Sequence, residues 1–119
     1  MIKKKILVVD DEVDLVEMVA LRLEANDFQI IKAYDGQEAL DKARNEKPDL
    51  IVLDIMLPKI DGYKVCRMLK FDEKYKHIPV ILLTSLSNPE DMVTALTCGA
   101  DDFFIKPYKE DYFLSHINK

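Results

Sequence analysis

Short, nearly unbroken apolar runs recur along this chain at intervals too long for hairpins, and that rhythm leaves few folds open to it. Ile6-Leu7-Val8-Val9, Leu50-Ile51-Val52-Leu53 and Val80-Ile81-Leu82-Leu83 lack the polar alternation of a half-exposed strand, so they read as strands buried on both faces. The segments between them carry helical spacing. After a strand from Lys5 to Val9, the residues Val13, Val16, Ala20 and Leu23 mark a helix through about Ala25, and Phe28 to Ala33 is a second strand. Asp35, with Glu38 three residues on, resembles a capping box ahead of Ala39, Leu40 and Ala43. Pro48 breaks the chain before a strand from Asp49 to Asp54. Asp61 caps a helix carrying Val65, Cys66 and Leu69, and Pro79 leads into a strand from Val80 to Thr84. Asn88-Pro89-Glu90-Asp91 opens another helix and Gly99 stops it. Phe103 to Ile105 is the fifth strand, and Phe113, Leu114 and Ile117 mark a last helix that the chain end cuts short.

Strand and helix alternating in this way predict an α/β fold with a doubly wound, five-stranded parallel sheet and helices on both faces. The 119 residues fit one domain, 1–119, with no linker, repeat or low-complexity stretch. In such folds ligands bind at the carboxyl edge of the sheet. Three runs end there in charged groups: the first at Asp10-Asp11, the third at Asp54, the fifth at Lys106-Pro107. Two carboxylates roughly 4 Å apart repel by about 4 kcal/mol at an effective dielectric of about 20, so the cluster calls for a cation. A hard divalent ion with oxygen ligands relieves it, and Mg²⁺ is the usual choice where phosphoryl groups are handled.

Charge narrows the partners. Asp and Glu number 22 against 17 Lys and Arg, a formal net charge of −5, which argues against direct binding to nucleic acid or an anionic membrane. Lys3-Lys4-Lys5 reads as a solvated lead-in to the first strand. No run approaches the roughly 20 apolar residues of a membrane span, and the chain shows no export signal, so a cytoplasmic location is expected. Cys66 and Cys98 have neither metal-ligand spacing nor the spacing of a redox pair; with His77 and His116 they read as structural.

Several motifs, in order along nearly the whole chain, resemble the receiver domain of two-component response regulators. They are Ile-Leu-Val-Val-Asp-Asp-Glu at the first strand, Asp-Leu-Ile-Val-Leu-Asp-Ile-Met-Leu-Pro around Asp54, Asp61-Gly62, Pro79-Val80-Ile81-Leu82-Leu83-Thr84-Ser85, and Gly99-Ala100-Asp101-Asp102 through Lys106-Pro107. The resemblance implies a flavodoxin-like sheet of strand order 2-1-3-4-5. It also implies a phosphorylation-dependent switch in which Asp54 accepts the phosphoryl group from a histidine-kinase phosphohistidine. Asp11 is then a direct Mg²⁺ ligand, Asp10 holds the ion through water, and the Met56 backbone carbonyl completes the protein's share of the shell. Lys106 stabilises charge on the phosphoryl oxygens, Thr84 hydrogen-bonds a new one, and Phe103 turns inward as the threonine shifts. Phenylalanine lacks the hydroxyl of the tyrosine that many members carry there. Met56 and Leu86 flank the path of the attacking water, and two apolar side chains imply slow self-hydrolysis.

The implied partners are a sensor histidine kinase or phosphotransfer protein, and a C-terminal effector or homodimer partner. The chain's ending is similar to receivers beside kinase or sensory modules. Plainer readings stand beside these roles. Asp10 and Asp11 also suit a helix N-terminus, Thr84 an ordinary strand, Phe103 simple packing, and Asp61-Gly62 a turn with tight backbone geometry. A flavin carrier of this fold wants a hydroxyl- and glycine-rich loop where Asp10-Asp11-Glu12 stands. An aspartyl phosphatase wants a second acid where Met56 stands. The alternative kept open is a non-phosphorylated receiver-like interaction module.

Overall fold

The computed structural model describes residues 3–84 and 97–105. Its elements are β1 (Lys5–Val9), α1 (Val13–Ala25), β2 (Gln29–Ala33), α2 (Gly36–Glu46), β3 (Leu50–Asp54), α3 (Gly62–Lys70), β4 (Val80–Thr84) and β5 (Asp102–Ile105). All strand pairs are parallel, in the order β2-β1-β3-β4-β5. The doubly wound sheet expected from the apolar rhythm is therefore present, with β3 central.

Because side chains alternate along a strand, each interior strand feeds two cores. Leu7 and Val9 of β1, Ile51 and Leu53 of β3, and Val80 and Leu82 of β4 pack with Leu40 of α2 and with Val65 and Leu69 of α3. The intervening Ile6, Val8, Val52, Ile81 and Leu83 pack instead with Val16, Val19 and Leu23 of α1. Burial on both faces is why these runs carry no polar alternation. Each large aliphatic side chain buried this way contributes about 1.5–3 kcal/mol.

Element edges differ from the sequence expectation for local reasons. Phe28 is not in β2: Asp27 has φ 68, and the Phe28 N–H donates to Leu23 O at 3.2 Å, closing the end of α1. Asp49 stands just outside β3, where its N–H donates to Lys5 O at 2.8 Å and its carboxylate accepts from Lys5 N at 2.8 Å. Asp102 joins β5 because it pairs in register with Ile81. Val13 is 53% exposed, so the buried stripe of α1 begins at Val16. Half of the capping box forms: Glu38 N donates to Asp35 Oδ1 at 2.8 Å, while the Glu38 carboxylate turns to Lys42 Nζ at 3.1 Å. The helices expected to start at Asn88 and to carry Phe113, Leu114 and Ile117 lie outside the described residues. Thr97 is helical, and Gly99 follows in the left-handed region at φ 92, which suits a helix stop.

Candidate functional site

Register brings the acids together. Val9 pairs with Leu53, so Asp10 and Asp54 each stand one residue further along neighbouring strands. A carboxylate oxygen from each of Asp10, Asp11 and Asp54 lies within 4.8 Å of the others. Asp10 and Asp54 are 2% and 5% exposed, whereas Asp11 is on the surface. Buried carboxylates are rare without partners, and three converging in one place form a hard, all-oxygen donor set of the kind Mg²⁺ takes. The residues fit such an ion.

Helix capping does not explain these acids. The N-cap of α1 is Glu12, with no side-chain cap bond, and Asp10 Oδ1 instead accepts from Glu12 N at 3.0 Å, fixing the turn that presents Asp11. Beside Asp11 opens a depression of about 490 Å³, lined also by Ile55, Met56, Leu57, Pro58, Asp61 and Tyr63. The Met56 side chain is 64% exposed beside it.

Neighbouring helices hold the loop after Asp54. Ile55 O accepts from Gly62 N at 2.8 Å and from Leu57 N at 3.1 Å, while Ile55 N donates to Leu83 O at 3.1 Å. Asp61 caps α3 through Lys64 N at 3.0 Å. Gly62 is needed here for closeness rather than for backbone freedom, since a Cβ there would meet Asp54 O at 2.2 Å and Ile55 Cα at 2.7 Å. This is the tight backbone geometry expected at Asp61-Gly62, and its cause is steric. On the other side, Gly36 N donates to Pro58 O at 3.2 Å, and a Cβ at Gly36 would meet Ile60 O at 1.9 Å. Lys59, at φ 69, places Nζ 3.5 Å from Asp35 Oδ2. The Asp35 carboxyl sits below the usual range, first because Glu38 N–H donates to it and then because of the Lys59 charge. The sequence gave no sign of this clamp between α2 and the loop carrying Met56.

Phe103 pairs in register with Leu82 and is partly buried against the core shared with α2 and α3, so it packs as its plainer reading expects. Thr84 ends β4 opposite Ile105, and its side chain lies outside the described residues, as do Lys106 and Leu86 entirely. Cys66 and Cys98 are buried thiols outside any disulfide, as expected, but their adjacency was not foreseen. The fold places them side by side, both fully buried, with Cys66 Sγ donating to Cys98 O at 3.6 Å.

Known proteins match this arrangement. The response regulator receiver domain profile covers residues 6–118. The alkaline phosphatase synthesis transcriptional regulatory protein PhoP of Bacillus subtilis is 49% identical over 105 residues, 88% of this chain and 43% of that protein. The chain thus spans less than half the length of that curated relative. Among solved structures, the signal receiver domain of a Syntrophus aciditrophicus signal transduction histidine kinase is 42% identical. It superposes with a TM-score of 0.91, covering 97% of this chain and 87% of that one. The chemotaxis response regulator CheY4 of Vibrio cholerae is 28% identical, with a TM-score of 0.91 and 98% of each chain covered.

Proposed function

The chain belongs to the response regulator receiver domain family, whose members work in phosphorylation-dependent two-component signalling, and from that premise we propose which of its residues perform the transfer. Asp54 is the phosphoacceptor. One of its carboxylate oxygens attacks the phosphorus of a phosphohistidine on a sensor kinase or phosphotransfer protein; the new O–P bond forms as the P–N bond breaks, and the imidazole leaves. The observation that carries this reading is the convergence of Asp10, Asp11 and Asp54 oxygens within 4.8 Å around a buried Asp54.

Asp11, Asp54 and the Met56 carbonyl would hold Mg²⁺ directly, with Asp10 acting through water. When bound, the ion would offset the carboxylate charge and stabilise the equatorial oxygens of the transferring group. Asp54 is positioned by β3 and by the Ile55–Gly62 contact, so its approach is set before the donor arrives. Lys106 supplies the remaining positive charge, and Thr84 takes a hydrogen bond to the new phosphoryl oxygen. Phe103 then repacks to pass the change outward.

The domain spans residues 1–119 and modifies only itself, losing phosphate slowly because Met56 and Leu86 shield the acyl phosphate. Its output is a C-terminal effector or a second copy of the chain. PhoP, a transcriptional regulator by name, supports the first of these, since this chain matches 43% of it. None of the described helices is long and apolar enough to cross a membrane, and we place the protein in the cytoplasm. The test is labelling with a small acyl phosphate, with and without Mg²⁺, read by intact mass. Wild type should gain one phosphate only with Mg²⁺, and Asp54→Ala none. No labelling of the wild type would favour the interaction-module alternative, and equal labelling of the variant would place the phosphate on another residue and overturn the assignment of Asp54.

A further inference from the structure

The buried thiols of Cys66 and Cys98 have no part in phosphoryl transfer. Cys66 lies on the inner face of α3 and Cys98 follows the helical residue Thr97, 32 positions away. Neither is in a disulfide, and both are fully buried. Cys66 Sγ donates to Cys98 O at 3.6 Å, and each thiol shifts the titration of the other. A sulfur in contact with the main chain of the other cysteine needs only a local adjustment to approach that residue's own sulfur.

Their surroundings make the pair unequal. Hydrogen bonding from Cys66, helped by the Ala100 N–H and the Arg67 charge, holds the Cys98 thiol below the ordinary thiol range, while the same bond and burial push Cys66 above it. Cys98 is the more readily ionised of the two and Cys66 keeps its proton. An ionised thiol next to a second thiol is the arrangement that oxidation converts to a disulfide.

We propose that Cys66 and Cys98 form an oxidation site, closing to an intramolecular disulfide when the chain meets a hydroperoxide. The Cys98 thiolate attacks one peroxide oxygen: an S–O bond forms, the O–O bond breaks, and the departing hydroxide takes a proton to become water. The Cys66 sulfur then attacks the Cys98 sulfur. An S–S bond forms as the S–O bond breaks, and the second hydroxide leaves with the Cys66 proton as water. Two thiols together lose two electrons and two protons, and one hydrogen peroxide becomes two waters. A dithiol reductant reverses the change.

Position gives the bond a structural consequence. Lys70, one turn along α3 from Cys66, pairs with Asp101 at 2.8 Å, and Asp101 also accepts from Val80 N at 2.8 Å. That contact lies at the start of β4, the sheet edge opposite Asp54. The disulfide would add a covalent tie between α3 and the lead into β5 beside a polar tie that is already there. Both thiols are fully buried. Burial limits the approach of peroxide, so oxidation is slow.

The experiment uses the whole chain, reduced and freed of reductant, then exposed to hydrogen peroxide under native conditions. Maleimide counting after denaturation and intact mass give the result. The expected product has lost both thiols and two hydrogens, yields a linked Cys66–Cys98 peptide pair on digestion, and returns to two thiols with dithiothreitol. Cys66→Ala should stop at a Cys98 sulfenic acid that dimedone traps. Both thiols surviving in the native chain under conditions that oxidise the urea-unfolded chain would overturn the proposal. So would disulfides between chains, or a sulfinic acid on one cysteine with the other free. Should Cys66→Ala fail to fold, the wild-type thiol count decides alone.

Discussion

Replacing Asp11 by asparagine tests whether the acidic cluster is built for a cation. Its carboxylate oxygen lies within 4.8 Å of those of Asp10 and Asp54, where each like-charge pair costs about 3.5 kcal/mol at a dielectric of about 20 and about 1 kcal/mol at that of water. Because Asp11 is exposed, the lower figure governs. Asp11→Asn removes two such pairs, so the metal-free protein should gain about 1–2 kcal/mol, which raises the melting temperature by several degrees in a domain of this size. Magnesium should reverse the order. An ion present at about 100 times its Kd stabilises by about 2.7 kcal/mol, and the variant, having lost a charged ligand, should receive little of that. Thermal melts of both proteins in EDTA and across a Mg²⁺ titration provide the assay. If the variant melts below wild type in EDTA and responds to Mg²⁺ as wild type does, Asp11 is a structural residue and the metal assignment fails.

Other perturbations probe the framework around the pocket. Gly62→Ala would drive a Cβ against the Asp54 carbonyl and Ile55 Cα, both backbone atoms unable to move aside cheaply. It should cost about 2–3 kcal/mol in urea unfolding and reduce labelling of Asp54 even in the folded fraction. Asp35→Ala removes the α2 cap and the Lys59 contact. Because the folded Asp35 carboxyl is held low, its contribution is present above the unfolded aspartate range and lost as pH falls through the folded value. Urea midpoints should therefore show the variant weaker at neutral pH, with the gap closing on acidification; a constant gap would discount the charge. Met56→Asn and Leu86→Glu should each speed phosphate loss from the labelled protein under saturating Mg²⁺, by about tenfold for about 1.4 kcal/mol of barrier. Faster loss from wild type than from both would contradict shielding by these side chains.

Much of the fold was legible because the strongest signals are local. Leu50–Leu53 is apolar along its whole length because β3 is buried on both faces, and Asp35 and Asp61 cap helices from within the same few residues. The acids of the pocket were legible because parallel register carries strand ends to one edge, and Asp10 and Asp54 each close such a run. What escaped depends on space between distant elements. Cys66 and Cys98 meet only because α3 and the segment before β5 pack together, and no spacing rule covers 32 residues. Gly62 was legible as a place of tight backbone geometry, but not the partner that makes it tight, which is Asp54 O pressing where a Cβ would stand. Lys59 adopts a positive φ in a loop whose shape Gly36 and Asp35 set from another helix. Val13 fell within the helical period of α1 yet sits too near its start to reach the core.

The central claim, that Asp54 is the phosphoacceptor, is tested most directly by reducing the labelled protein with borohydride, which converts an aspartyl phosphate to homoserine. Peptide sequencing by mass spectrometry then locates the converted residue. Homoserine at position 54, formed only when both phosphodonor and Mg²⁺ were present, is the predicted result. Homoserine at Asp10 or Asp11, or no conversion in a protein that has bound phosphate, would contradict it.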